Sequence, residues 1–304
     1  MDAYGETWQE QLSNFLTFKL SNSSPMRILI TGHKGMLGSE LMQTLRREHD
    51  VTGVDLQQMD VTDLEWTRAT VQDARPKLIY HTASYNAVDQ AETEPNLAFK
   101  VNTIGTRNVV LAARDAGANL VFFSTDYVFD GAKGAPYEEW DTPNPLGVYA
   151  RSKAAAEWIV RTLLRRHYIV RISWLIGHNG PNFVETILKK AKSRQPLRVV
   201  NDQTGSPTFV TELINQLQRL VPTRAFGTYH MSNNGMCTWY ELAQAILEES
   251  GLDVPVRPIT TQQSRRAAPR PPFSYLRNAM LELTIGDGML PWRKGLKRYL
   301  AKRK

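Results

Sequence analysis

From Met26 onward, short apolar runs alternate with stretches whose apolar residues recur every three or four positions. Arg27–Thr31 (RILIT) predicts a buried strand. Leu37, Leu41 and Leu45 then fall at four-residue spacing and predict a helix over residues 37–47. Strands follow at residues 51–55, 78–83, 120–125 and 168–174, with helices around 97–116 and over 149–166. Strands that are apolar almost throughout, separated by helices, predict a parallel sheet covered on both faces. Right-handed crossovers make that sheet doubly wound.

Beyond Trp174 the pattern loosens. Helices are predicted at residues 183–194, 212–220 and 238–250, the last with Thr238 as N-cap. Strands are predicted at 198–201 and 228–231. The Pro- and Arg-rich stretch 255–272 reads as irregular. Residues 26–174 are therefore expected to form a Rossmann-type domain. Residues 175–304 are expected to form mainly a smaller lobe over the carboxyl edge of the sheet, with some segments returning to the first domain. Ligands of such sheets bind in that crevice.

Of 304 residues, 42% are hydrophobic, ample for a core, and no apolar run approaches the ~18 residues of a membrane span. The single cysteine, Cys237, excludes an intramolecular disulfide framework and fits a reducing, cytoplasmic setting. The formal charge is +7, but residues 292–304 carry seven basic side chains and no acid, which accounts for the whole excess. Such a run is expected as a solvated helix end, where cations suit the macrodipole. No aromatic-rich binding module accompanies it, so neither nucleic acid nor membrane is expected as a partner. Residues 1–25 carry early acids and no continuous apolar core, so they do not read as a secretory signal. They are expected to be an extension outside the fold.

The first strand runs directly into Gly32, Gly35 and Gly38 in G-x-x-G-x-x-G spacing, and then into a helix. Glycine tolerates the positive φ of a tight turn and lets backbone approach a pyrophosphate. The amides of Met36 and Leu37, at the helix start, supply free donors for that anion. A glycine-rich loop without a ligand is the plainer reading; the strand–turn–helix context favours dinucleotide binding. Asp55 ends the second strand, where a carboxylate can accept bonds from an adenosine ribose and repel a 2′-phosphate. Arg46 and Arg47 are near in sequence and could soften that repulsion, so NADH and NADPH both stay open. Asp60 and Val61 are expected to flank the adenine, and Ala83 to border the cofactor.

Tyr149 and Lys153 stand at i and i+4 and share a helix face. A nearby ammonium is expected to lower the phenol's pKa towards the working range. Such a tyrosine can protonate a carbonyl oxygen as hydride reaches the carbon. Alone, Y-x-x-x-K is a common coincidence. The fourth strand strengthens it by ending in Ser124 and Thr125, hydroxyls at the carboxyl edge of the sheet. Thr125 is expected to hold the carbonyl against Tyr149; Ser124 reads as a buried hydroxyl bonded to backbone.

TGHKGMLG, STDYVFDG and YARSK, in this order, resemble the extended short-chain dehydrogenase/reductase superfamily. YNAVDQAE from Tyr85, Ser173-Trp174, NDQTGSPT from Asn201, Thr238-Trp239-Tyr240, Arg270-Pro271, Ser274 and Leu276-Arg277-Asn278 narrow the resemblance to the dTDP-4-dehydrorhamnose reductase family. These motifs span nearly the whole chain from Met26. The resemblance implies reduction of a dTDP-linked keto-deoxy sugar at C4, giving dTDP-L-rhamnose, with Thr125, Tyr149 and Lys153 catalytic. It also implies that Asn86, Val88, Tyr127 and Trp174 line the sugar pocket, that Arg270 meets the nucleotide phosphates, and that Asn102 fixes the region near the cofactor. Read alone, Trp174 is equally a core residue and Arg270 a solvent charge. Some relatives form homodimers through Mg²⁺ held by glutamates. Glu40 and Glu212 occupy matching positions, but the expected third carboxylate is absent from the tail, which puts the metal in doubt. Two other readings stay open: a non-catalytic NADP-binding subunit resembling the regulatory beta subunit of methionine adenosyltransferase, and another sugar-nucleotide reductase or epimerase.

Overall fold

The computed structural model describes residues 25–303, so the expectation for 1–25 falls, apart from Pro25, outside it. β1 (Arg27–Thr31) runs into α1 (Met36–Leu45), followed by β2 (Asp50–Val54), α2 (Leu64–Ala74) and β3 (Leu78–His81). Short helices α3 (Val88–Ala91) and α4 (Pro95–Phe99) lead through a wide π-type turn, Lys100–Gly105, into α5 (Thr106–Asp115). Then come β4 (Asn119–Thr125), a 3₁₀ turn (Asp126–Val128), α6 (Val148–Leu163) and β5 (His167–Ile172). The second half holds β6 (Leu175–Ile176), α7 (Phe183–Lys192), β7 (Leu197–Val200), β8 (Thr204–Gly205), β9 (Thr208–Phe209) and α8 (Val210–Leu220). It continues with β10 (Gly227–His230), β11 (Cys237–Thr238), α9 (Trp239–Glu249), β12 (Val256–Ile259), α10 (Thr261–Ser264), α11 (Ala279–Thr284) and α12 (Trp292–Ala301).

Six strands form one parallel sheet in the order β10-β5-β4-β3-β1-β2. Strand order reverses around β1, which lies between β2 and β3, and the carboxyl ends there open a crevice. One face of the sheet packs Ile28, Val121 and Val170 against Leu213 and Leu217 of α8 and Leu281 of α11. The other packs Leu29, Ile79 and Ile169 against Val71, Val109 and Val160 of α2, α5 and α6. Strand β10 and helix α8 thus come from the second half of the chain. A separate core of Ile187, Leu242, Ile246, Leu296 and Tyr299 holds the lobe together.

Several elements depart from the sequence reading. Helix α2 had no signal, because Thr67 and Val71 are its only buried residues and make a thin stripe; Asp63 caps it by accepting from Trp66 N. The helix expected around residues 97–116 is interrupted by the π-type turn. The stretch 255–272, expected to be irregular, contains β12 and α10. β12 pairs only with β7, so Pro258 sits in a two-stranded ribbon where a missing amide donor is tolerated. The basic tail forms α12, whose Trp292, Leu296 and Tyr299 enter the lobe core. Arg293, Lys297 and Arg298 pair with Glu248, Glu249 and Glu212, and Arg303 pairs with Glu185.

Candidate active site

The turn after β1 is built for close approach. Gly32 takes φ +68°, and a Cβ on it would meet the Ala83 amide nitrogen at 2.7 Å. A Cβ on Gly38 would lie 2.4 Å from the Gly32 carbonyl oxygen. Gly35 precedes α1 without a side-chain cap, and the first turn of α1, with Met36 and Leu37, carries no acid. An N-terminus left uncapped and free of negative charge fits the pyrophosphate of a dinucleotide. Asp55 lies beside this turn: Lys34 N donates to its Oδ2 at 3.1 Å and Leu56 N to its Oδ1 at 2.9 Å. Arg46 caps the opposite end of α1, a helix of 10 residues and so about 15 Å long. It and Arg47 therefore do not neighbour Asp55, contrary to the expectation from their nearness in sequence; Lys34 meets it through its backbone amide, with its ammonium on Gln57 Oε1 at 3.2 Å.

Further along, Asp60 accepts from Thr62 N, and the buried Val61 gives its carbonyl to Asn108 Nδ2 at 3.0 Å. The loop after β3 brings Ala83, Asn86 and Val88 to the same edge, with Val88 N bonded to the Asn86 carbonyl. Asn102, in the π-type turn, fixes this loop. Its Oδ1 accepts from Ser84 Oγ at 2.9 Å and Tyr85 N at 2.7 Å, and its Nδ2 donates to Tyr85 O and to Ser152 Oγ. Ser152 lies between Tyr149 and Lys153 on α6. Beneath, the buried His81 bridges Thr31 Oγ1 and Thr106 Oγ1, and burial pushes its imidazole down to about 3, so it is neutral.

Thr125 ends β4 and faces the Tyr149 phenol, while Tyr127 meets that ring edge-on at 6.5 Å. Lys153 is buried with its amine 4.3 Å from the centre of the Phe122 ring. Burial pushes this amine down to about 7, opposed by the Glu157 carboxylate one turn on. Glu157 forms a two-point ion pair with the buried Arg171, at 2.9 and 2.8 Å. The expected lowering of Tyr149 is not what the surroundings produce. Burial raises the phenol above its ordinary value, and Asp126 raises it further, against the hydroxyl of Thr125. The reason is desolvation: a phenolate is disfavoured in this cleft. Ser124 is buried beside Glu157, without a bond to backbone.

The sequence reading missed Asp126. It is buried, accepts from Thr125 Oγ1 at 3.1 Å and Ser274 Oγ at 2.6 Å, and burial pushes it up to about 7. The available signal was an acid directly after an apolar strand. It also missed Asp89, which takes both guanidinium nitrogens of Arg270 at 2.9 and 3.1 Å; the hydrogen bond from Arg270 holds its carboxyl down to about 2. Arg270 also faces the Tyr127 phenol. Trp174 adopts φ +46°, a conformation that costs a bulky residue on the order of 1–3 kcal/mol. The two glutamates expected near a metal are otherwise engaged: Glu40 accepts from His178 N at 2.6 Å, and Glu212 pairs with Arg298 at 3.1 Å. Among the described residues no group of three or more metal-ligating side chains comes together. A hollow of about 660 Å³ lined by Arg27, Asp50, Thr52 and Arg75 lies at the amino end of the sheet, away from this cleft.

A doubly wound sheet, a glycine turn at its switch point and a Tyr149–Lys153 pair beside Thr125 define an extended short-chain dehydrogenase/reductase. The family model described as the RmlD substrate binding domain matches residues 26–304, and the chain belongs to that family. The spore coat polysaccharide biosynthesis protein SpsK of Bacillus subtilis is 38% identical over 278 residues, 91% of this chain and 98% of that protein. A dTDP-4-dehydrorhamnose reductase of Streptomyces griseus is 38% identical over 278 residues, 89% of this chain and 91% of its own. The crystal structure of dTDP-4-dehydrorhamnose reductase from Bacillus anthracis in complex with NADP superposes with a TM-score of 0.90 at 41% identity, covering 91% of this chain and 99% of that one. No helix among the described residues is long and apolar enough to cross a membrane.

Proposed function

We propose that this chain reduces the C4 ketone of dTDP-4-dehydro-L-rhamnose to dTDP-L-rhamnose with NADPH or NADH, the last step in making that sugar donor for surface polysaccharide. The observation that carries the reading is the placement of Thr125, Tyr149 and Lys153 at the carboxyl edge of the sheet, beside a glycine turn that fits a pyrophosphate. The names of the full-length relatives support the substrate.

The bound dinucleotide supplies hydride to the ketone carbon. Tyr149 then gives its proton to the oxygen that becomes the new hydroxyl, and Thr125 orients that oxygen by turning its hydroxyl proton from Asp126 towards it. A phenol held protonated by its surroundings is in the form this step needs. Lys153 bonds the nicotinamide ribose, and Asn102 keeps the loop of Ala83, Asn86 and Val88 against α6. Gly32, Gly35 and Gly38 with the amides of Met36 and Leu37 take the pyrophosphate, Asp55 the adenosine ribose, and Asp60 with Val61 flank the adenine. Val88, Asn86, Tyr127 and Trp174 form the walls of the sugar pocket, and Arg270, on exchange from Asp89, meets the nucleotide phosphates. The setting is cytoplasmic, supported by a lone, unpaired Cys237. A homodimer is supported by exposed Leu97, Ile104 and Trp158 on adjoining helices.

The test is a coupled assay in which the purified chain receives the keto sugar and NADPH or NADH, with the sugar product read by NMR. Loss of cofactor absorbance and a rhamnose spectrum are expected. Cofactor binding without turnover would overturn the reading, and a product of other stereochemistry would correct it.

A further inference from the structure

Trp174 and Trp239 come from different layers of the molecule and stack face to face. Their ring centroids are 3.7 Å apart and their planes 15° from parallel. Trp174 lies between β5 and β6 at positive φ. Trp239 opens α9 in the lobe, at a helix start fixed by a reciprocal capping box between Thr238 and Glu241. Phe183, at the start of α7, packs on Trp239 at 4.6 Å. The edge of the Trp174 indole closes on Gly205, where a Cβ would lie 2.9 Å from Cζ2 and 3.0 Å from Cε2. Trp174 itself stays only partly buried. A bulky residue does not hold a left-handed backbone by its own preference; the surrounding structure has to over-determine it. The stacked indole is a large, flat, rigid contact able to do so.

We infer that Trp239 is a positioning residue for the sugar-nucleotide pocket: by stacking on Trp174 it fixes the indole against which the sugar lies, and Gly205 leaves room for that indole. The inference rests on the reading above for the role of Trp174. Without Trp239, Trp174 loses its partner while keeping an unfavourable backbone, so it relaxes and the wall moves. The effect falls on the sugar nucleotide and not on the dinucleotide, because Trp239 belongs to the lobe and not to the glycine turn.

Two readouts test it. Closely stacked indoles give an exciton couplet in far-ultraviolet circular dichroism, and Trp174→Phe and Trp239→Phe are each expected to remove the same couplet. In steady-state assays Trp239→Leu is expected to raise KM for the dTDP-keto sugar roughly tenfold with KM for NADPH unchanged. Trp239→Phe keeps a flat ring and is expected to recover most of that loss. Should Trp239→Leu fail to fold, Gly205→Ala pushes on the same indole from its edge and is expected to raise the same KM. A sugar KM within about twofold of the parent in a folded Trp239→Leu would overturn the inference. So would a parallel rise in both KM values, which marks a general loss of structure. Either result leaves the functional reading intact. Absence of turnover by the parent chain sinks that reading and this inference together.

Discussion

Ser274 donates a hydrogen bond of 2.6 Å to Oδ2 of Asp126 across 148 positions of chain. Thr125 donates to the other oxygen at 3.1 Å. Both bonds favour the carboxylate, yet burial outweighs them and pushes Asp126 up to about 7. Ionised, Asp126 places a negative charge near Tyr149 and makes its phenol a poorer donor. Reduction is therefore expected to fall as pH rises through about 7, and Asp126→Asn to remove that inflection from the pH profile of kcat/KM. An inflection left in place assigns it to Lys153, which burial pushes down to the same region. The raised carboxyl also sets a stability trend. Its contribution is complete below the ordinary value of 3.8 and lost as pH rises through about 7.

Tyr149→Phe keeps the ring and its contact with Tyr127 but removes the transferable proton. Turnover is expected to fall on the order of 10²- to 10⁴-fold. Cofactor affinity, read by NADPH fluorescence, is expected to stay near the parent's. A near-normal rate would remove Tyr149 from the proton-donor role.

Gly38→Ala adds one methyl group 2.4 Å from the Gly32 carbonyl oxygen. Backbone cannot yield as a flexible side chain does, so the turn must open. Dinucleotide affinity is expected to drop by more than roughly tenfold, about 1.4 kcal/mol. Isothermal titration with NADPH measures it, and an unchanged affinity would show that the turn does not grip the cofactor.

Arg270 holds Asp89 through two parallel bonds, so a ligand phosphate must compete with a carboxylate already in place. Arg270→Ala is expected to raise KM for the sugar nucleotide roughly 10- to 100-fold, the worth of bonds to a charged group. Asp89→Asn weakens the competitor and leaves the guanidinium free; its KM is expected to fall or hold. A rise in both variants would give the pair a structural role only.

Asn102 makes four hydrogen bonds that join the loop after β3 to α6. Asn102→Ala orphans the half-buried Tyr85 amide and carbonyl. A loss of about 2–3 kcal/mol is expected in urea unfolding. Stability within error of the parent would mean water replaces the side chain.

What the sequence made legible was local. The glycine spacing after β1 and the Tyr149–Lys153 interval each lie within one turn or helix face, and the apolar strands declare a parallel sheet by themselves. Asp126 and Ser274, Trp174 and Trp239, and Asp89 and Arg270 are contacts between distant segments, so no periodicity reports them. The direction of the Tyr149 shift was missed for the same reason. The spacing of Lys153 is visible in the chain, but the burial of both groups is a property of the assembled cleft. Helix α2 was missed because propensity without an apolar stripe leaves no pattern.

The wide turn at Lys100–Gly105 gives the helical passage from α4 to α5 one surplus residue. Deleting a single position there would restore regular winding with α4 and α5 nearly in phase, and would remove the widened turn that carries Asn102. Asn102, set by that turn, could no longer reach both the loop and Ser152. Length within this stretch is thus held as tightly as residue identity, and a chain one residue shorter would keep its helix and lose its cleft.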